Sequence, residues 1–238
     1  MNRLGDATRA LLAQASAATL TTQLFKRGLR NVCIQGVRPL NPHAGPLVGE
    51  AFTLRNIPSR EDLDQISVFE NPEHPQRKAI EVIPPGCVLV IDCRGEVGAA
   101  SGGGILMRRL MARGAAGVVS DGGMRDTREI GELKMPVYCA APAAPLNLVR
   151  HHATDFNVPI ACGGVAVYPG DVIVGDAEGV VVIPAHLADE VAADAVEQER
   201  LERFIAQEIA RGEPLPGTYP PNAATRARYE QWKREHPE

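Results

Sequence analysis

Two kinds of apolar periodicity alternate along the chain and predict a mixed α/β protein. Short runs of β-branched and apolar residues bounded by Pro and Gly are typical of buried strands. Such runs cover residues 32–37, 51–57, 87–93, 116–119 and 136–140, and several short strands follow in 158–183. Helical spacing predicts a first helix over residues 7–26 with Asp6 as its N-cap, and a long C-terminal helix over 184–210 that Gly212 ends. Strands that cross between short helices favour mixed sheets over a purely parallel one.

One stretch, residues 101–126, combines a glycine-rich loop, a short helix, a strand and a paired Arg-Asp. The strand over 87–93 leads into Gly102, Gly103 and Gly104, and helical spacing then continues from residue 105 to Gly114, where a left-handed cap is expected. A second strand follows, and Asp121-Gly-Gly has the composition of a turn. The pattern therefore predicts a strand-loop-helix-strand-turn unit whose two loops face the same way.

The residues of these two loops are suited to binding a small anion. Consecutive glycines at a helix start let backbone N–H groups converge with the positive end of the helix dipole. Arg125 can bind a carboxylate through a bidentate fork, and Asp126 can bind a hard cation such as Mg²⁺. A carboxylate-binding group and a divalent metal are together suited to reactions of a 2-oxo acid that pass through an enolate. In the alternative, the glycines only allow close helix packing and the Arg-Asp pair is a solvated turn.

Other polar residues are weaker candidates for chemistry. Residues 58–85 are mostly polar and contain several prolines, which indicates a solvated loop with one short helix. A carboxylate of this segment could alternatively reach a metal. His151 and His152 are adjacent and would point to opposite faces of a strand, so a structural or surface role is favoured over a ligand pair. Asp171 and Asp176 lie at expected turns. No lysine lies within an apolar strand, which disfavours a Schiff base.

Several motifs resemble the RraA-like family, which includes 4-hydroxy-4-methyl-2-oxoglutarate/4-carboxy-4-hydroxy-2-oxoadipate aldolases and regulators of ribonuclease E. They are GGIL from residue 103, RGAAGVV from 113, DG from 121, RD at 125–126, GGVAVYPGD from 163 and GDAEGVVVIP from 175. The resemblance extends over residues 45–184. It implies a swivelling β/β/α domain, a trimer or dimer of trimers with sites between subunits, and a class II lyase that uses Mg²⁺ or Mn²⁺.

The resemblance also implies roles for individual residues. Arg125 would bind substrate and Asp126 the metal. The backbone anion loop would be Gly102, Gly103, Gly104, Ile105 and Leu106. A glutamate on the C-terminal helix of the neighbouring subunit matches Glu202 best and Glu199 second, although without the resemblance both read as part of the helix's polar face.

One position departs from the family pattern and bears on the reaction. The aldolases have an acidic residue twenty-one positions before the motif arginine, where this chain has Gly104. Decarboxylation of oxaloacetate, or cleavage of an unusual hydroxy-oxo acid to pyruvate, is therefore favoured over the named aldolase reaction. The regulator branch lacks the motif aspartate, so Arg125 with Asp126 favours an enzyme. A protein-binding ribonuclease regulator and other carboxylate or sugar-acid chemistry in the same pocket are the alternatives; the glycine spacing does not fit methyl transfer.

Composition limits the remaining possibilities. A net charge of −4 over 238 residues, with scattered arginines, gives no basic stripe for nucleic acid. No apolar run is long enough for a membrane span, so a cytoplasmic protein is expected. The five cysteines form no CxxC pair and are expected to be buried, reduced thiols. We expect one catalytic domain over residues 1–212 and a C-terminal oligomerisation tail over 213–238, whose Tyr229 and Trp232 would pack on a neighbour.

Overall fold

The computed structural model describes residues 3–236 and shows an α/β fold built on one large mixed sheet. In chain order the strands are β1 Cys33–Ile34, β2 Arg38–Pro39, β3 Leu47–Pro58, β4 Cys87–Asp92, β5 Gly117–Met124, β6 Val137–Pro142, β7 His151–Phe156, β8 Ile160–Cys162, β9 Val165–Val167, β10 Val172–Gly175 and β11 Val180–Ile183. The helices are α1 Asp6–Leu12, α2 Ala17–Lys26, α3 Pro75–Val82, α4 Gly104–Ala112, α5 Thr127–Gly131, α6 Ala188–Ala210, the helical turn α7 Leu215–Thr218 and α8 Ala223–Glu235.

The large sheet has the order β1-β11-β10-β3-β4-β5-β6-β2, with β7 also paired to β3. Its centre, β3 to β6, is parallel, and its outer pairs are antiparallel. Every residue of β4 and β5 is buried, as expected for parallel strands that are covered on both faces. The crossovers contain α3, α4 and α5, so the loops that follow β3 to β6 all lie at the carboxyl edge of the sheet.

Three apolar clusters hold these layers together. One joins β4 to the crossover helices through residues such as Met107 and Leu110 of α4. A second packs α1, α2 and α6 against β10 and β11, and a third lies between the sheet and the β8-β9 hairpin. Within the described residues, no helix is both long and apolar enough to cross a membrane.

The strand pattern is confirmed, and three local predictions are wrong. Asp6 is the first residue of α1 and not its N-cap, which is Gly5. The first helix is also interrupted after Leu12, and α2 begins only after its N-cap Ser16. Asp121-Gly-Gly does not turn, because β5 continues to Met124 with only a shift in its pairing to β6. The buried Asp121 carboxylate instead accepts three backbone hydrogen bonds from two other segments, from Cys93 and Gly95 after β4 and from Gly163 after β8.

The cysteines behave as the sequence predicts. All five are free thiols, and four of them are buried. Burial raises the pKa of Cys87 and Cys139 to about 11 and that of Cys93 to about 12. These three thiols therefore stay protonated near neutral pH and are poor nucleophiles.

Candidate functional site

The predicted site residues meet at the carboxyl edge of the parallel strands. The glycine loop follows β4, and Arg125 and Asp126 follow β5 directly. Ligands of open α/β sheets bind at this edge, because the loops that leave neighbouring strands converge there. The order of elements thus brings together two loops that are about twenty residues apart in sequence.

Backbone hydrogen bonds fix the glycine loop against the end of β5. The Ser101 N–H donates to the Gly123 carbonyl at 2.7 Å, and the Arg125 N–H donates to the Gly102 carbonyl at 3.1 Å. A Cβ at Gly103 would lie 2.7 Å from Asp126 Oδ2 and 2.9 Å from Arg125 Nε, which is closer than real contacts allow. A side chain at 103 would displace Arg125 and Asp126 from their positions against the backbone of the glycine loop.

Arg125 and Asp126 lie side by side with about half of each side chain exposed. Asp126 has a left-handed backbone conformation, with φ of 57°, which Asp tolerates better than most residues. Its Oδ2 accepts a hydrogen bond from the Gly104 N–H at 3.0 Å and lies 3.7 Å from Arg125 Nε. The first turn of α4 also leaves the N–H groups of Ile105 and Leu106 without intrahelical acceptors.

A cavity of about 230 Å³, here called the site cavity, opens beside this pair. Its lining residues are Ile66, Phe69, Gln76, Arg77, Ala100, Gly102, Gly103, Ile105, Leu106, Arg125, Asp126, Leu146 and Asn147. The structure thus brings together all of the predicted loop residues except Gly104, whose N–H binds Asp126. Ile105, where the predicted helical spacing begins, is 80% exposed.

One wall of the site cavity, formed by residues after β3, was not predicted from the sequence. Gln76 and Arg77 belong to α3, and the Gln76 amide donates to the Ser101 carbonyl at 2.8 Å. The Arg77 guanidinium lies over the Phe69 ring, 4.3 Å from its centroid. Burial and the positive charge of Arg125 lower the pKa of Arg77. Part of the polar segment 58–85 therefore forms a wall of the site cavity. The apolar residues Ile66 and Phe69 within this segment could have indicated it.

The carboxylates of that segment bind elsewhere. Asp62 pairs with Arg60 at 2.6 Å, Asp64 with His152 at 2.7 Å and Glu73 with Lys78 at 2.8 Å. None of these acids lines the site cavity. The structural interpretation of the adjacent histidines also agrees with the structure: His151 is buried, and burial lowers the pKa of its ring.

Within one chain, the glutamates of α6 lie apart from the site cavity. Glu202 lines a separate cavity of about 730 Å³ between α2, α6 and α8. Glu199 accepts hydrogen bonds from the backbone N–H and the hydroxyl of Ser16, at 3.1 and 2.7 Å. Glu202 Oε1 also accepts a hydrogen bond within its own chain, from the Gln198 amide at 2.8 Å. The role of Glu202, or of Glu199, at the site of a neighbouring subunit stays a prediction.

The residues of the site fit Mg²⁺ or Mn²⁺ better than zinc. Within residues 3–236 no three His, Cys, Asp or Glu side chains form a group that could hold a metal ion. Zinc sites need three or four protein ligands, whereas Mg²⁺ is commonly held by one or two carboxylates, with water and substrate oxygens as its other ligands. Asp126 is half exposed in the site cavity and can supply such a carboxylate.

The chain is similar in sequence to proteins named as aldolases. A Halalkalibacterium halodurans protein with a provisional 4-hydroxy-4-methyl-2-oxoglutarate aldolase name is 33% identical over 186 residues, covering 76% of this chain and 81% of that protein. The 4-hydroxy-4-methyl-2-oxoglutarate aldolase of Thermus thermophilus is 34% identical over 108 residues, covering 45% of this chain and 65% of that enzyme.

The solved structures support the predicted fold. Streptomyces coelicolor RraAS2, described as an unusual member of the RNase ES inhibitor RraA protein family, superposes with a TM-score of 0.77 at 30% identity. The match covers 87% of this chain and 100% of that one. The swivelling β/β/α fold with its long C-terminal helix is thus confirmed. The family model described as RraA-like, Aldolase/RraA, matches residues 10–182, well over half of the sequence, and the chain belongs to the RraA-like family.

Proposed function

We propose that the site cavity binds a small 2-oxo acid and that the protein is a divalent-metal-dependent lyase that cleaves a C–C bond to release pyruvate. The observation that carries this proposal is the arrangement of Arg125 and Asp126, side by side against the start of α4 in one cavity. The family supports it, because relatives are named as aldolases.

The chain's own residues bind the substrate and stabilise its developing charge. Arg125 binds the carboxylate of the 2-oxo acid through its planar fork. The free N–H groups of Ile105 and Leu106 offer further donors to an anionic oxygen. Cleavage leaves an enolate whose negative charge Arg125 stabilises. A Mg²⁺ ion held through Asp126 would supply Lewis-acid stabilisation of the same charge.

The two reactions differ in whether they need a general base. A retro-aldol cleavage requires removal of the C4 hydroxyl proton, for which we propose Glu202 of a neighbouring subunit acting through ordered water. Oxaloacetate decarboxylation requires no such base. A Schiff-base route is disfavoured, because among the described residues no lysine lines the site cavity.

The test measures pyruvate release from oxaloacetate and from 4-hydroxy-4-methyl-2-oxoglutarate, with Mg²⁺ and with chelator. We expect Arg125→Ala to lower kcat/KM by at least about 100-fold, because the variant loses a charged group that is aimed at the developing anion. Asp126→Ala should reduce turnover to the level seen with chelator. Arg128→Ala is the matched control, because this exposed arginine does not line the site cavity.

The outcomes test the roles of the site residues and the choice of substrate separately. Loss of activity in both site variants, with Arg128→Ala unaffected, supports the proposed roles, and the ratio of the two substrates shows which reaction the site with Gly104 prefers. Folded wild-type protein that turns over neither acid would refute this lyase assignment.

The likeness to the Streptomyces RraAS2 structure favours a second candidate function, a protein-binding regulator of a ribonuclease. This function predicts that the chain inhibits an RNase E-type enzyme and that the inhibition survives in Arg125→Ala and Asp126→Ala. The lyase proposal predicts no inhibition by either the wild type or the variants.

A further inference from the structure

Two arginines line the site cavity, and they differ in their neighbours. Arg125 lies beside the carboxylate of Asp126. The Arg77 side chain makes no ion pair or hydrogen bond with any residue in 3–236, and its guanidinium has a cation–π contact with the Phe69 ring. Nearby arginines outside the cavity are paired, Arg109 with Glu81 at 2.6 Å for example. A half-buried guanidinium without a counterion is typical of a site that binds an anion.

The position of Arg77 is fixed by its surroundings. The preceding residue, Gln76, is buried and hydrogen-bonded to the Ser101 carbonyl, so α3 is held against the glycine loop. The Phe69 ring supports the guanidinium from one side. Burial and the positive charge of Arg125 both lower the pKa of Arg77, and an anion bound between the two guanidinium groups would offset both effects.

We propose that Arg77 binds the distal carboxylate of the substrate, so that the site selects 2-oxo acids with a carboxylate at each end. This inference rests on the proposed function, in which Arg125 binds the 2-oxo acid end. Ile66, Leu106 and Leu146 provide apolar walls for the short carbon chain that joins the two charged ends.

The same contact favours one of the two proposed reactions. In a retro-aldol cleavage of a 4-hydroxy-2-oxo diacid, the C3–C4 bond breaks and the distal carboxylate keeps its charge on the departing carbonyl product. In decarboxylation of oxaloacetate, the distal carboxylate itself leaves as neutral CO₂, while the bonding electrons form the enolate. Arg77 would then bind the ground state more strongly than the transition state, which opposes decarboxylation.

A binding experiment tests the role of Arg77 without requiring turnover. The ligands are 2-oxoglutarate and 2-oxopentanoate, which have the same chain length and differ only in the distal carboxylate. Neither can undergo a retro-aldol cleavage or β-decarboxylation. We expect calorimetry with saturating Mg²⁺ to show at least about 10-fold tighter binding of 2-oxoglutarate by the wild type, as for a charged hydrogen-bonded pair.

Variants separate the carboxylate contact from general structure. Arg77→Met should abolish the preference and leave 2-oxopentanoate binding unchanged. Arg77→Lys should keep part of the preference, because it retains the charge but loses the planar fork. Arg109→Met, on α4 outside the site cavity, should keep all of it.

The outcomes also distinguish this inference from the lyase proposal. A preference that depends on Arg77 supports the inference even if no substrate is turned over, in which case the lyase proposal alone fails. Equal binding of the two acids by wild type, binding of neither, or an unchanged preference in folded Arg77→Met would overturn it.

Discussion

The departure from the family pattern at Gly104 has a structural counterpart in Glu129. A Cβ at Gly104 would lie 2.7 Å from Glu129 Oε2, so the carboxylate of α5 occupies the space of a side chain at 104. Glu129 is held there by Arg108, whose Nε donates to Oε1 at 2.5 Å. An acidic residue at 104 would therefore bring two carboxylates together at the start of α4.

This contact predicts a coupling between positions 104 and 129. The effect of Gly104→Asp on the free energy of unfolding should be about 1 kcal/mol less favourable with Glu129 present than in a Glu129→Ala background. With Glu129 present, repulsion between like charges adds to steric crowding. In the Glu129→Ala background the aspartate should stabilise the chain, since the first turn of a helix favours a negative charge. A double-mutant cycle in urea measures the coupling, and additivity within about 0.3 kcal/mol would contradict it.

The residues of the site differ in how far the sequence could predict them. Arg125, Asp126 and the glycine loop follow two neighbouring strands within one short stretch, so local pattern is enough. Arg77 reaches the same cavity only because Gln76 binds Ser101, a contact across 25 residues that no local pattern encodes. The two loops of the site cavity could be predicted from the sequence, and the wall formed by α3 could not.

At the scale of elements, the start of the chain shows how a helix boundary can be hidden. Residues on both sides of the break keep a helical apolar spacing, so the sequence reads as one helix over 7–26. The Ser16 hydroxyl accepts from the Thr19 N–H at 3.1 Å and starts α2 anew. Glu199 of α6 then accepts from both the N–H and the hydroxyl of Ser16.

Replacing this cap should destabilise the packing of α2 on α6. We expect Ser16→Ala to lower the free energy of unfolding by about 1–2 kcal/mol, because it removes an N-cap and one bond to the Glu199 carboxylate. Urea unfolding measures the effect, with Thr22→Ala as the control on the exposed face of the same helix. An equal loss in both variants would mean that the hydroxyl of Ser16 does not act as a specific cap.

The strands were easier to predict than the turns. The all-buried runs of β4 and β11 are β-branched and bounded by Gly and Pro, so composition and burial agree. Asp121-Gly-Gly has turn composition but lies within β5, because its carboxylate satisfies three N–H groups from other segments. The long-range hydrogen bonds of the buried Asp121 side chain therefore outweigh the turn composition of the local sequence.

At the scale of the whole molecule, the C-terminal tail has two different apolar surfaces. Tyr229 and Trp232 of α8 pack on Phe204 of α6 in the same chain, with ring centroids 5.6 and 5.9 Å from that of Phe204. Tyr229 is thus buried and Trp232 partly buried without a neighbour, so burial of this pair does not by itself require contact with another subunit. Among residues 213–236, Leu215 and Tyr219 are the large apolar side chains that are most exposed, at 60% and 53%, and they are the candidates for such a contact.

These two surfaces predict separable effects on assembly and stability. If residues 213–238 form an oligomerisation tail, the wild type has the mass of three or six chains, and Leu215→Ser with Tyr219→Ser shifts that mass toward one chain. Tyr229→Ala should keep the assembled mass and lower the free energy of unfolding by about 3 kcal/mol, since it empties a buried aromatic site. Light scattering after size-exclusion chromatography measures the masses, and urea unfolding the stability. If the double variant keeps the wild-type mass, the tail acts only as a cover for α6, and the subunits assemble through another surface.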